Sequence, residues 1–186
     1  MSEDVVIPRL DDRQKVHLSK ALSYILRHGA TKEKLVMTDD GFIQVQEIQD
    51  EDGCWWIRAN QGHSLKAIKV ELDLIKEPLP ICVHGTYTTN WNSIATQGLK
   101  RMSRNHIHFA AGMPGEHGVI SGMRKSCDVF IYVDMVKAME DGIVFQLSAN
   151  QVILSEGING VLDPTYFLKV VDREGKPLLI HQPIVT

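Results

Sequence analysis

Short apolar runs with a strand pattern dominate the second half of this sequence, and they constrain its fold more than any other feature. Short helical patterns separate the runs, which read ICVHGT, HIHFA, DVFIYVD, IVFQLS, VILS and YFLKVV. The strand runs outnumber the helical segments, which read TTNWNSIATQGL and MVKAMEDG. This arrangement favours an α+β fold.

The first half predicts a smaller module with a different order of elements. Asp11 or Asp12 can cap a helix, and the apolar stripe of that helix comprises Leu18, Ala21, Leu22, Ile25 and Leu26. An Asp-Gly turn, a strand over residues 42–45, a helix opening in VQEIQ and a strand in CWWIRA follow. This order is typical of a winged-helix module. The two prolines of IKEPLP mark a linker, so we predict lobes over residues 1–76 and 77–186.

Composition limits the classes of protein to which the chain can belong. Its 186 residues are 44% hydrophobic, enough to bury a core. No apolar run reaches membrane-spanning length and the first residues lack a signal-peptide pattern, so we expect a soluble, intracellular protein of the cytoplasm or nucleus. Three widely spaced cysteines without C-x-x-C argue against a disulfide framework. Cys82 and Cys127 lie in apolar runs and are predicted to be buried.

The formal net charge of −3 argues against binding nucleic acid by bulk electrostatics. Contact with RNA or DNA would therefore depend on a few focused cations. Arg27 and His28 are one such pair, at the end of SYILRHGA and directly before Gly29. They can complement the helix dipole beside a glycine cap, or they can present an anion clamp and a proton carrier to a ligand. The residues alone leave both interpretations open.

Two further arginines are equally ambiguous. Arg58 ends an apparent strand and can be an exposed strand residue. In the loop NQGHS that follows, Gly62 permits a tight turn and Ser64 offers a donor to an anion. Arg124 lies in the Gly-rich segment ISGMRKS, where it is either solvated or a bidentate phosphate ligand.

Two histidine motifs lie on predicted strands. His84, Gly85 and Thr86 form the end of one strand, where the glycine lets a ligand approach the backbone. His106 and His108 share one face of another strand. These imidazoles leave a metal site open, although no carboxylate or cysteine falls at ligand spacing. The chain contains no G-x-G-x-x-G after a strand, no Walker loop and no G-x-S-x-G elbow.

Eight segments occur in one order, and together they are specific. They read LSKALSYILRHGA, DGF, IRANQGHSL, VHGT, IATQGL, HIHFA, GVISGMR and DGIVFQLSANQVIL. In these segments the chain resembles the NAD-dependent RNA 2′-phosphotransferase family, whose members remove the splice-junction 2′-phosphate from tRNA. The resemblance runs from about residue 18 to about residue 171, and GMPGEHGVISGMR looks like the eukaryotic branch.

The resemblance implies a winged-helix-like lobe that binds RNA phosphate, joined to an ADP-ribosyltransferase-like lobe that binds NAD. The implied catalytic residues are Arg27, His28, Arg58 and Arg124. Gln61 and Ser64 are implied to join them around the substrate phosphate. The implied NAD contacts are His84, Gly85, Thr86, His106 and His108, with His108 on the nicotinamide side.

The implied reaction transfers an internal 2′-phosphate of RNA, expected to be ligated tRNA, to NAD+ through a 2′-phospho-ADP-ribosylated RNA. The products are 2′-OH RNA, ADP-ribose 1″,2″-cyclic phosphate and nicotinamide. Nicotinamide leaves a cationic dinucleotide as a neutral molecule, so no metal is expected. We expect a monomer that does not contact membranes. The run IQVQEIQDEDGCW is shorter than the family usually has between its DGF strand and its second arginine.

Two other functions remain as alternatives. The first is ADP-ribosylation of a protein or of a nucleic-acid terminal phosphate. Protein-modifying relatives of the fold rely on a glutamate at the third active-site strand, but the comparable strand here begins at Val152 and Glu156 lies at its far end. The second is a non-catalytic winged-helix module that binds nucleic acid, which the negative net charge disfavours.

Overall fold

The chain forms two compact units, one comprising Met1–Ala59 and Ala67–Lys69 and the other Asn60–Lys66 and Val70–Thr186. The structure is a computed structural model. It describes residues 10–39, 41, 43–45, 55–57, 59, 62–65, 71–113, 123–124 and 126–178. Among these residues, no helix has the length and apolar character needed to cross a membrane.

The first unit begins with helix α1, which spans Asp12–Tyr24. The Asp11 carboxylate accepts a hydrogen bond from the Gln14 backbone N–H at 2.8 Å, and the Gln14 side chain accepts one from the Asp11 backbone N–H at 2.9 Å. This capping box confirms the predicted start of the helix. The residues of the predicted apolar stripe become more buried towards the end of the helix and the turn that follows it. Leu18 is 46% exposed, whereas Leu26 is only 6% exposed.

The end of this helix differs from the prediction. Residues Ile25–Gly29 form a single π-helical turn rather than a last α-turn. Gly29 does not adopt the positive φ of a glycine cap. Instead it admits a close contact, since a Cβ atom at Gly29 would lie 2.7 Å from Cε1 of Tyr24. The glycine is therefore explained by packing against Tyr24, and the capping interpretation of Gly29 is wrong.

The first unit also contains an antiparallel strand pair. β1 spans Ile43–Val45 and β2 spans Trp55–Ile57, with Ile43 opposite Ile57. The predicted turn before β1 is present at Gly41, which has a φ of 88°. Its N–H donates to the carbonyl of Thr38 at 2.9 Å. The helix predicted to open in VQEIQ lies outside the described residues.

Antiparallel sheets build the second unit. One sheet has the order β11 (Phe167–Asp172), β7 (Val129–Val133), β4 (Val83–Thr86). A second has the order β3 (Asp73–Leu74), β8 (Gln146–Leu147), β9 (Ile153–Ser155), β6 (Ile107–Phe109). β5 (Leu99–Lys100) pairs with β10 (Val161–Leu162). A β-bridge between Val83 and Ala110 links the edge of the first sheet to the end of β6.

Short helices connect these strands, as the sequence predicts. α2 spans Thr88–Gln97 and buries Trp91 and Ala95. α3 spans Met135–Glu140, and Pro164–Tyr166 forms a 3₁₀ turn. Gly98 ends α2 with a φ of 75°, and its N–H donates to the carbonyl of Ile94 at 2.9 Å.

The core of the second unit combines residues from both sheets and from α2. Phe109, Ile131, Phe145, Ile153 and Leu162 are nearly inaccessible to solvent. Cys82 and Cys127 are buried with free thiols, which confirms their predicted burial. Small sheets with a few short helices among the described residues fit the predicted α+β class.

Candidate active site

A cavity of about 190 Å³ lies beside the end of β4 in the second unit. His84, Gly85 and Thr86 line it from β4, His108 lines it from β6, and Arg124 lines it from the Gly-rich segment. The bridge between Val83 and Ala110 holds the two strand segments side by side. The fold of this unit therefore brings together three motifs that the sequence presents separately.

A hydrogen bond joins the two histidine motifs. The Nδ1–H of His84 donates to the backbone carbonyl of His108 at 2.8 Å. Because a carbonyl oxygen can only accept, Nδ1 of His84 carries the proton. Burial lowers the pKa of His84, and the nearby charge of Arg104 lowers it further against the effect of this hydrogen bond. His84 is therefore neutral at physiological pH, with Nε2 as an acceptor.

His108 presents a buried nitrogen without a partner. In the described part of the chain, no group forms a hydrogen bond with its Nε2. Burial, assisted by the charge of Arg104, lowers the pKa of His108 to about 3. The ring is thus neutral at physiological pH. An unpaired buried polar atom is costly in a folded protein, so this nitrogen is a candidate contact for a polar group of a ligand.

A second cavity, of about 510 Å³, adjoins the first. The two share the lining residues His84, Thr86, Asn90, Arg104 and His108. The described lining of the larger cavity adds Lys100, Arg101 and His106 and contains no carboxylate. Its volume is in the range of ligand pockets, roughly 300–1,000 Å³, and its cations favour an anionic ligand. Burial lowers the pKa of His106, while the Glu156 carboxylate opposes that shift.

Arg104 is a cavity residue that none of the motifs singled out. It lines both cavities, and its positive charge lowers the pKa of His84 and of His108. The Arg101 side chain supports its backbone, because Nη1 of Arg101 donates to the carbonyl of Arg104 at 2.8 Å. The available signal was its position two residues before the HIH motif.

Arg27 and His28 lie in the π turn of the first unit. The Nε atom of Arg27 is buried, and none of the described residues accepts a hydrogen bond from it. His28 is exposed, and its ring centroid lies 6.3 Å from that of Tyr24. A buried guanidinium N–H without an acceptor favours a bound anion. The Nε atom of Arg27 is thus available to an anion, and the role of Arg27 and His28 as an anion clamp and a proton carrier stays a prediction.

The described part of the NQGHS loop, residues 62–64, and the following Leu65 belong to the second unit. Asn105 fastens them next to the HIH motif. The backbone N–H of Asn105 donates to the carbonyl of His63 at 3.1 Å, and its Nδ2 donates to the carbonyl of Leu65 at 3.3 Å. The half-buried Ser64 lies between these two attachment points, so the loop has a defined path close to the histidine strand.

Arg58 and Gln61 lie outside the described residues, so their roles stay predictions. Within the described ranges, no group of three or more His, Cys, Asp or Glu side chains is placed to hold a metal ion. Nδ1 of His84 is engaged with a backbone carbonyl, which leaves only its other nitrogen for a ligand.

The sequence also matches a known protein family. The sequence profile described as RNA 2′-phosphotransferase, Tpt1 / KptA family, matches residues 13–54 and 48–157. The chain belongs to this family. The two matched segments overlap at residues 48–54, within the run IQVQEIQDEDGCW.

Individual relatives agree with the family assignment. The tRNA 2′-phosphotransferase 1 of Danio rerio is 43% identical over 91% of this chain and 90% of its own length. That of Homo sapiens is 42% identical over 86% of this chain and 76% of its own length. A Schizosaccharomyces pombe relative is 43% identical over 88% of this chain, which spans about half (53%) of that protein. A bacterial relative from Rhizobium johnstonii is only 29% identical, so the predicted likeness to the eukaryotic branch is confirmed.

Proposed function

We propose that this protein is an NAD+-dependent tRNA 2′-phosphotransferase. Membership of the RNA 2′-phosphotransferase family supports the reaction. The observation that carries the proposal for this chain is the shared cavity of the HGT motif, His108 and Arg124, because a residue predicted to bind phosphate there meets residues predicted to bind NAD+. The proposed substrate is ligated tRNA with an internal 2′-phosphate.

The first step is an attack of the RNA 2′-phosphate on C1″ of the nicotinamide ribose. A C–O bond forms, the glycosidic C–N bond breaks, and nicotinamide leaves with the bonding electron pair as a neutral molecule. The RNA then carries a 2′-phospho-ADP-ribose group. Because the leaving group is neutral and C1″ becomes oxocarbenium-like as the C–N bond breaks, this step requires neither a metal nor a protein nucleophile.

The second step returns the hydroxyl group to the RNA. The ribose 2″-oxygen attacks phosphorus and loses its proton, the bond between phosphorus and the RNA 2′-oxygen breaks, and that oxygen gains a proton. The products are 2′-OH RNA and ADP-ribose 1″,2″-cyclic phosphate. Negative charge builds on the phosphorus oxygens in the transition state, so guanidinium groups placed beforehand stabilise the transition state more than the ground state.

We assign the phosphate chemistry to four residues. Arg27, Arg58 and Arg124 supply permanent charge and paired donors to the transferred phosphate. His28 moves the proton between the attacking and departing oxygens, a contribution of about 10²–10⁴-fold in rate. Its exposure on the π turn is compatible with this role, because a proton carrier must reach both substrate and solvent. Gln61 and Ser64 are proposed as additional contacts of the phosphate.

We assign NAD+ to the joined cavities of the second unit. Gly85 and Thr86 bring backbone and hydroxyl groups to the dinucleotide. Nε2 of His108, which has no partner among the described residues, meets a polar group on the nicotinamide side. His84 and His106 complete the imidazole lining. The cationic wall of the larger cavity suits the two phosphates of a dinucleotide. These features fit NAD+ as the co-substrate.

The lobes follow from the same proposal. The first unit is proposed to be winged-helix-like and to bind RNA phosphate, and the second to be ADP-ribosyltransferase-like and to bind NAD+. The predicted bounds of 1–76 and 77–186 differ from these units, since residues 60–66 and 70–76 belong to the second unit. We propose a monomeric protein of the cytoplasm or nucleus.

A label-transfer assay tests the proposal. A short RNA with one radiolabelled internal 2′-phosphate is incubated with the protein in EDTA, with and without NAD+. The variants Arg27→Ala, His28→Ala and Arg124→Ala are compared with Arg13→Ala, a matched control on the exposed face of α1. We expect label in ADP-ribose cyclic phosphate only with NAD+, lost in the three site variants and retained in the control.

Two other outcomes would replace the proposal. Label that remains on an ADP-ribosylated RNA in the wild-type protein would indicate an ADP-ribosyltransferase that stops after the first step. RNA that is bound without any NAD+-dependent change would indicate a nucleic-acid-binding module without this activity.

A further inference from the structure

A hydrogen bond between two side chains ties the segment that carries Arg124 to the HGT strand. The Tyr87 hydroxyl lies 2.9 Å from the Ser126 hydroxyl. Tyr87 directly follows the HGT motif, and Ser126 is two residues beyond Arg124. Tyr87 and Arg124 line the same 190 Å³ cavity. The bond thus joins one wall of the cavity to the segment that brings an arginine into it.

Backbone bonds fix the described end of this segment, from Arg124 to Asp128. The Cys127 N–H donates to the carbonyl of Arg124 at 3.0 Å and closes a turn, and the Asp128 N–H donates to the carbonyl of Thr86 at 3.1 Å. Nη2 of Arg173 donates to the carbonyl of Cys127 at 2.9 Å. These bonds anchor residues 127–128 to the sheet. The hydrogen bond between the Tyr87 and Ser126 hydroxyls holds the exposed part of the turn. Ser126 directly precedes Cys127 in the chain.

Arg124 itself is exposed, and an exposed arginine has many side-chain conformations. Ordering such a side chain only when the substrate arrives would consume part of the binding free energy. A backbone turn that is already fixed removes the cost of ordering the segment itself and starts the Arg124 side chain from a defined position beside the cavity. The phenol ring of Tyr87 supplies a rigid arm for this purpose, because it has only two rotatable side-chain bonds.

We propose that Tyr87 and Ser126 are positioning residues that hold Arg124 in the geometry required for the second chemical step. This inference rests on the proposed phosphotransferase function. Neither hydroxyl reacts. Each acts through Arg124, whose fixed charge favours the transition state at phosphorus, so losing the pair should slow the release of 2′-OH RNA more than the attack on NAD+.

Single-turnover kinetics with the labelled RNA and NAD+ test this inference. The variants are Tyr87→Phe, Ser126→Ala, the double variant and Ser126→Thr, which keeps the hydroxyl. Tyr166→Phe is the matched control, because its hydroxyl donates to Asp141 at 3.0 Å and lies outside both cavities. Ser126 is exposed, so its alanine variant removes the bond without disturbing the core even where a change at Tyr87 affects folding.

The expected result is a specific kinetic pattern. Tyr87→Phe and Ser126→Ala each lower the second-step rate about three- to tenfold, the range for loss of one hydrogen bond, and ADP-ribosylated RNA accumulates. The double variant is no slower than either single variant, Ser126→Thr recovers the rate, and the KM for NAD+ stays within about twofold.

Three results would overturn the inference. Equal rates for wild type, Tyr87→Phe and Ser126→Ala would do so while leaving the proposed function intact. Additive losses in the double variant would show that the two hydroxyls act separately. A wild-type protein that transfers no label would remove the proposed function, and this inference with it.

Discussion

The sulfur atom of Met123 covers the face of Gly85 so closely that a Cβ atom on Gly85 would lie 2.6 Å from it. The Sγ atom of Cys127 would be 3.2 Å away. Met123 and Gly85 both line the smaller cavity, so the bare backbone of β4 and a flexible thioether form one wall. Because methionine moves easily, an added methyl group would displace Met123 within the cavity rather than disrupt the strand.

Gly85→Ala is therefore expected to raise the KM for NAD+ about tenfold, equivalent to about 1.4 kcal/mol, with little change in the thermal unfolding midpoint. Steady-state kinetics and thermal unfolding measure the two effects. The double variant Gly85→Ala/Met123→Ala removes the displaced side chain and should recover most of the lost affinity. A double variant as impaired as Gly85→Ala would contradict this explanation.

Arg104→Gln should raise the pKa of both His84 and His108, because it removes a positive charge that disfavours each protonated ring. NMR titration of the imidazole nitrogens measures this shift. The same change should raise the KM for NAD+, since Arg104 lines both cavities. Arg13→Gln, on α1 of the first unit, is the control. Unchanged imidazole titrations in Arg104→Gln would rule out the electrostatic coupling.

Stability should fall as the pH falls, through the buried His108. Its pKa is about 3 in the folded protein, whereas an unfolded histidine titrates near pH 6.5. Between these values the unfolded chain binds a proton that the folded chain does not, so the free energy of unfolding decreases from about pH 6.5 towards pH 3. His84 acts in the same direction.

Thermal unfolding between pH 7 and pH 4 checks this dependence. His108→Gln should flatten the curve, because it removes a group whose protonation favours the unfolded chain. His17→Gln, at an exposed position of α1, should leave it unchanged. Parallel curves for wild type and His108→Gln would mean that other groups cause the acid sensitivity.

Alanine substitutions at two glycines with positive φ distinguish the cost of backbone strain from the cost of steric overlap. Gly98 and Gly142 have φ values of 75° and 85°. A Cβ atom on Gly98 would overlap the carbonyl oxygen of Leu162, whereas one on Gly142 would have nothing within 4 Å. Gly142→Ala should cost about 1 kcal/mol through conformation alone, and Gly98→Ala about 3 kcal/mol or more. Urea unfolding measures both, and equal losses would refute the overlap.

Local signals were enough to predict much of this fold. Asp11 and Gln14 are three residues apart and form the expected capping box. Gly98 ends α2 where the helical pattern stops, and β4 coincides with the VHGT run. These features depend on neighbouring residues, so a single sequence contains all the information that they require.

Contacts between distant residues were not predictable in this way. His84 and His108 are 24 residues apart, and Tyr87 and Ser126 are 39 apart. Their pairing depends on which strands become neighbours, and periodicity does not specify that. Arg104 was missed for the same reason, because only the folded sheet brings its charge beside both imidazoles. Leu18 belongs to the predicted apolar stripe of α1 but is 46% exposed, which the helical period alone does not predict.

The π turn at Ile25–Gly29 accommodates one residue more than an α-helical turn. An in-frame loss of one codon just before Arg27 would let the helix continue with regular α-helical hydrogen bonds. A residue inside a π turn advances the side-chain direction by less than the roughly 100° of an α-helical residue, so Arg27 and His28 leave this turn in directions that a regular α-helix would not give them. Such a chain should keep its fold and lose its activity. In genomic sequences, the loss of a single codon from this helix would thus mark homologues that fold but are inactive.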